Sequence, residues 1–157
     1  VAQTFNQAAV KALAAAVLSE AQALGDFTRA RGHEPKNAPG LGLTIAIFLA
    51  GIKPSGRASG MSATSGVVTF QARVYNPMLQ EPQDSIDPDI LTATCDLMAA
   101  YSDGFTLDGT VRNIDLLGME GTPLSATTGY VQQDDRIYRS VDISIPIVVN
   151  DLWTQEA

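Results

Sequence analysis

From Arg136 to Val149 the chain alternates with a period of two: Ile137, Val141, Ile143, Ile145, Ile147 and Val149 face one way, and Tyr138, Ser140, Asp142 and Ser144 the other. Successive side chains leave opposite sides of an extended strand but turn by about 100° on a helix, so this segment must be a long strand with one apolar face. Such a face needs a covering layer. Pro146 lacks the N–H of one ladder bond, so we expect an open edge there, where another chain can pair.

The covering layer is expected from two helices. The Ala-rich stretch before Gly25 has strong helix propensity; Thr4 and Gln7 have the spacing of a capping box, and Gly25 is the stop. Phe5, Ala9, Ala12, Leu13, Ala16, Val17 and Leu24 fall on one side, and their small size suits packing flat on a sheet. The second helix is expected to be capped by Asp87, with Pro88 at its first position and Asp89 complementing its dipole, and to run to about Ser102 before Gly104. Its apolar face is read as Ile90, Leu91, Thr94, Leu97, Met98 and Tyr101.

Further strands are expected at Phe27 to Gly32, Leu41 to Ile52, Val67 to Tyr75, Val111 to Leu117 and Leu124 to Gln133, with Asp134-Asp135 as a tight turn into the last strand. Leu41 to Ile52 is apolar on both faces, as in a strand covered on both sides. Val67 to Tyr75 points Val68, Phe70, Ala72 and Val74 inward and Thr69, Gln71, Arg73 and Tyr75 outward. These two strands read as an extended hairpin across a mobile Gly/Ser loop, residues 54–66. The expected architecture is one α+β domain over residues 1–157, two helices on a largely antiparallel, mixed sheet. That size suits a single domain of about 100–200 residues.

The formal charge of −7 disfavours an overall basic nucleic-acid binder. Its distribution is uneven. Residues 1–75 hold seven cations against three anions, a net of +4; residues 76–157 hold three cations against fourteen anions, a net of −11. Opposite halves can pair within a fold or between copies. One cysteine, Cys95, permits no intramolecular disulfide, as expected of a chain folding in a reducing compartment. Residues 1–24 read as an amphipathic helix and not a secretory leader, and the run Leu41 to Ile52 is too short for a bilayer, which needs about 20 residues. We therefore expect a soluble protein without a membrane partner.

Catalytic and cofactor motifs fail in turn. Gly51 to Ala58 has the glycine spacing of a phosphate loop, but Arg57 replaces its lysine, Ala58 its hydroxyl residue, and Pro54 removes a donor. Gly40-Leu41-Gly42 begins like a dinucleotide fingerprint, but Ile45 takes the third glycine position and the segment opens a strand. His33 has no second His or Cys at metal-ligand spacing. Cys95 has no cation beside it to hold a thiolate, and Asp84, Asp87 and Asp89 lack the spacing of a calcium loop. No enzyme activity, cofactor or metal is expected. Instead the proline-bounded segments 33–40 and 76–87 and the Gly/Ser loop are read as contacts to other chains. The candidate interface residues are His33, Glu34, Pro35, Lys36, Asn37, Pro39, Arg57, Met61, Met78, Leu79, Gln80, Glu81 and Pro82.

Taken in order, the segments His33 to Gly40, Arg73 to Asp84, Val111 to Gly118, Gly129-Tyr130, Tyr138-Arg139 and Ile143 to Asp151 resemble those of the tail terminator proteins of long-tailed phages. The resemblance implies a small α+β subunit assembling as a homo-oligomeric ring, a hexamer by family habit. Such a ring caps the head-proximal end of the tail tube, stops polymerisation of the tube protein and offers the docking surface for the head connector. Phage DNA crosses its channel without sequence-specific binding, and the protein belongs to the virion after assembly in the host cytoplasm. The family brings no catalytic residues. Two rival readings stand beside it: another head–tail joining protein of the head-closure or adaptor kind, and a small hydrolase using His33 with a distant serine.

Overall fold

The fold was analysed in a computed structural model, which describes residues 3–27, 29–32, 43–55, 63–77, 86–102, 111–119, 121–133 and 136–155. Its elements are β1 (Gln3–Phe5), α1 (Gln7–Ala23), β2 (Arg29–Arg31), β3 (Thr44–Pro54), β4 (Ala63–Pro77), α2 (Ile86–Ser102), β5 (Val111–Ile114), β6 (Ser125–Gln133) and β7 (Arg136–Gln155). All seven strands join one sheet. β7 is its spine: β4 and then β3 and β2 follow on one side, while β6, β5 and β1 pair in succession along the other. Every pairing is antiparallel except β2 with β3. This is the expected α+β class, with a mixed sheet.

The expected open edge at Pro146 is not there. β6 pairs with β7 as far as Ser144 and β5 resumes at Ile147, so Pro146 falls in the gap between two partner strands. Its carbonyl accepts from the Asp115 N–H at 2.9 Å. The N–H and C=O of one strand residue point to the same side, so the missing donor falls where no ladder bond was needed. β7 also runs six residues beyond Val149. Asp151 adopts a left-handed φ of 54°, which inserts a bulge opposite Ser65 and brings Leu152 onto the core face after Val149. The prolonged strand then pairs with β1.

Thr4 lies in β1, and the cap of α1 is Asn6, whose Oδ1 accepts from the Ala9 N–H at 3.1 Å. The expected stop holds: Gly25 has a φ of 73°. α2 begins at Ile86, one residue before the predicted cap, so Asp87 and Pro88 lie in its first turn. Of the loop expected at 54–66, Pro54 belongs to β3 and residues 63–66 to β4, while residues 56–62 lie outside the described residues.

Both helices cover one face. α1 buries Ala9, Leu13, Val17 and Ala21, and α2 buries Ile90, Ala93, Leu97 and Tyr101, each a single narrow stripe. Beneath them lie Ile45 and Ile47 of β3, Val68, Phe70, Ala72 and Val74 of β4, and Val141, Ile143, Ile145 and Ile147 of β7. α1 packs over β2 and β3, α2 over β4 and β7. The Tyr101 hydroxyl donates to the Val17 carbonyl at 3.1 Å and ties the helices together. Burial holds its pKa well above the ordinary phenol value, with Glu20 adding to the shift, so it remains a donor.

Candidate functional site

All thirteen candidate interface residues, His33, Glu34, Pro35, Lys36, Asn37, Pro39, Arg57, Met61, Met78, Leu79, Gln80, Glu81 and Pro82, lie outside the described residues. Their points of attachment do not. Thr44, where the chain enters β3 after residues 33–40, pairs with Tyr75, two residues from Pro77, where the chain leaves for residues 78–82. The roots of the two proline-bounded segments therefore share one end of the sheet. The root of the Gly/Ser segment, where Pro54 pairs with Gly66, is at the other end of the hairpin.

Surface features that alternation could not reveal are exposed apolar groups on ordered backbone. On the flank formed by α2, β6 and β7, Leu91 and Tyr130 are each 64% exposed and Ile137 54%. A groove of about 430 Å³ lies on this flank, lined by Pro88, Ile90, Leu91, Ala126, Thr128 and Val141 among others. Arg139 spans its rim: the guanidinium sits 4.8 Å from the Tyr130 ring centroid and donates to the Gly129 carbonyl at 3.2 Å. Leu91 was read as part of the buried stripe, but it follows Ile90 by about 100° of helix, which takes it past the sheet.

The turn after β5 is a second apolar feature. The Asp115 carboxylate, nearly buried, accepts from the Met119 N–H at 2.9 Å, and Gly121 N–H closes on the Gly118 carbonyl at 2.9 Å. Gly118 has a φ of 75°, which its lack of a Cβ permits. The bonded turn holds Leu116, Leu117 and Met119 out in solvent, Leu117 at 85% exposure. The signal in the sequence was the apolar pair Leu116-Leu117 itself, which was read as the end of a strand.

The face opposite the helices is more polar. Arg73 Nε bonds Asp142 Oδ1 at 2.6 Å, and the Arg73 guanidinium stands 5.7 Å from the Phe48 ring centroid. Desolvation by itself would lower the Arg73 pKa, but the hydrogen bonds to Asp142 and Tyr75 and their charge interactions together outweigh it and raise the pKa above its ordinary value. Tyr75 and Tyr138, both expected outward, are fully buried with Ala46 and meet edge to face at 6.0 Å.

Cys95 lies exposed on α2. Among the described residues no three His, Cys, Asp or Glu side chains gather as a metal site, and no helix is long and apolar enough to cross a membrane. What the described surface offers chemically is apolar area on rigid supports, suited to burial against other chains.

No family model matches the sequence, and no curated protein matches it. Among solved structures, the chain is similar to one from the virion of the native gene transfer agent particle, at 18% identity and a TM-score of 0.56, over 92% of this chain and 99% of that one. The fold described above is therefore shared, nearly end to end, with a chain of that virion.

Proposed function

We propose that this chain is a structural, non-catalytic subunit of a phage or phage-like virion: a tail terminator that assembles as a ring, a hexamer by family resemblance, on the head-proximal end of the tail tube. The observation that carries the reading is the near-complete match in fold to a gene transfer agent virion chain, with little left over in either. The ordered run of segments resembling tail terminators supports the finer assignment. The ring ends tube polymerisation because its two ends differ, one matching the tube protein and the other the head connector. The separate roots of the proline-bounded segments and of the Gly/Ser segment are compatible with two such ends. Phage DNA passes through the channel, where an excess of anions would keep it from adhering.

Tails assembled with the chain deleted test this. The expected result is tubes of uncontrolled length that fail to join heads. Tails of normal length that join heads without it would contradict the proposal.

A further inference from the structure

The sheet ends in edges of two kinds. β2, at one end, is three residues long and carries Arg29 and Arg31. Beyond β2 the outer side of β3 has no strand among the described residues from Ile47 to Pro54, and there the ladder slips between Leu49 and Gly51 before Lys53 and Pro54. Short length, charge, proline and a bulge are the devices by which folded sheets keep other strands from adding to them. β1 and β5 are likewise only three and four residues long.

β6, at the other end, has none of these devices. Its nine residues, Ser125–Gln133, hold no charge and no proline, and they pair with β7 without a break in register. Among the described residues no strand lies along its outer edge. Ala126, Thr127 and Thr128 are all exposed although successive side chains of a strand point to opposite faces, so neither face is covered there. An edge of this kind accepts one class of partner, an extended strand that completes its N–H and C=O ladder.

We propose that the strand added to β6 is β6 of a second copy, so that the free chain forms a twofold pair whose two sheets continue into one. A head-to-tail pairing of copies would need a second unguarded edge, and the other edges are guarded, so β6 meets itself. With the strands antiparallel and Thr128 on the axis, Ala126 of each copy faces Tyr130 of the other, small against large on the helix side of the sheet. Leu91 lines the groove beside Ala126 and stands exposed, so the incoming Tyr130 ring is placed to cover it. No charged side chain of β6 opposes another across the axis. The pair does not depend on the ring reading; a ring with unlike ends contains no such axis, so the two copies separate before they enter it.

The test uses Thr128→Lys and Thr128→Glu, at an exposed position of β6, with circular dichroism and melting temperature confirming that each variant is folded. Sedimentation should show the wild type as a pair and each variant alone weakened in pairing by about tenfold or more, because like charges meet on the axis. An equimolar mixture of the two variants should pair again as one chain of each, with opposite charges opposed. A wild type monomeric to millimolar concentration overturns the proposal and leaves the edge to a strand of another protein. Oligomers that both charged variants leave intact overturn it as well, as does a mixture no more associated than its components.

Discussion

The two faces of the sheet are built from the same alternating strands, yet they are stabilised differently. The helix-covered face is largely apolar; the Tyr101 hydroxyl is bonded there to the Val17 carbonyl, and Thr94 Oγ1 of α2 is buried with no partner among the described residues. The opposite face buries Tyr75, Tyr138 and Thr44 beside a partly exposed Arg73–Asp142 pair, and there the Tyr138 hydroxyl and Thr44 Oγ1 are buried without a hydrogen-bond partner among the described residues. Burial on the first face is driven mainly by apolar area; on the second more of the buried surface is polar and carries a desolvation cost. The pleat of a strand dictates which side a residue takes. It does not dictate whether that side is wet.

The largest effect that sharpens this contrast is expected from Ile145→Ala. Ile145 is fully buried opposite Phe70, and its truncation should cost about 2–5 kcal/mol in urea unfolding. A cost near zero would mean that the helices do not close over β7. Next, the two buried tyrosines should respond with opposite sign. Tyr101→Phe loses a bond and should destabilise by about 1 kcal/mol, whereas Tyr138→Phe removes an unpartnered hydroxyl and should be neutral or gain up to about 1 kcal/mol. Equal losses in paired melts would break the comparison. Asp142→Ala should cost less than about 1 kcal/mol, because its side chain is 40% exposed and water screens the pair; the loss should vanish in an Arg73→Ala background, as a double-mutant cycle can measure.

The smallest effect concerns pH. Asp26, just after α1, has its pKa raised above 3.8 by the hydrogen bond that its protonated carboxyl donates to Asp96 of α2, by burial and by the charge of Asp96. A folded-state pKa above the unfolded value contributes stability below the unfolded pKa and loses it as pH rises through the folded one. The advantage of the wild type over Asp26→Asn should therefore be greatest below pH 3.8 and decline as pH rises above it, read as the difference in melting temperature. A difference independent of pH would show that the two carboxyls do not interact.

Much of this contrast was legible because it is local. The existence of α1 and α2, the β3–β4 hairpin and the alternation of β7 follow from spacing alone, whereas the helix faces were read too broadly: Phe5 lies in β1, Ala12 and Leu91 are exposed, and Ala21 and Ala93 complete the buried stripes. What was not legible depends on partners distant in sequence. β1 is a strand only because Thr154 and Trp153 lie beside Thr4 and Phe5, with the Phe5 and Trp153 rings 5.3 Å apart. Asn150-Asp151 reads as the end of a strand, and only the bulge opposite Ser65 carries β7 onward. Pro146 reads as an edge until β5 and β6 are seen to meet on either side of it. The candidate interface was placed on segments rich in proline, glycine and serine, all outside the described residues, while the apolar flanks sit on helix and strand. Helical spacing counts Leu91 as core and alternation counts Ile137 so, and their exposure follows from where the covering helix and sheet end.

The most direct measurement is a cryo-EM map of the head-proximal end of the tail. The account predicts a closed ring of this chain on the last ring of tube protein. Particles without the chain, or density for it beside the portal in place of the tube end, would contradict it.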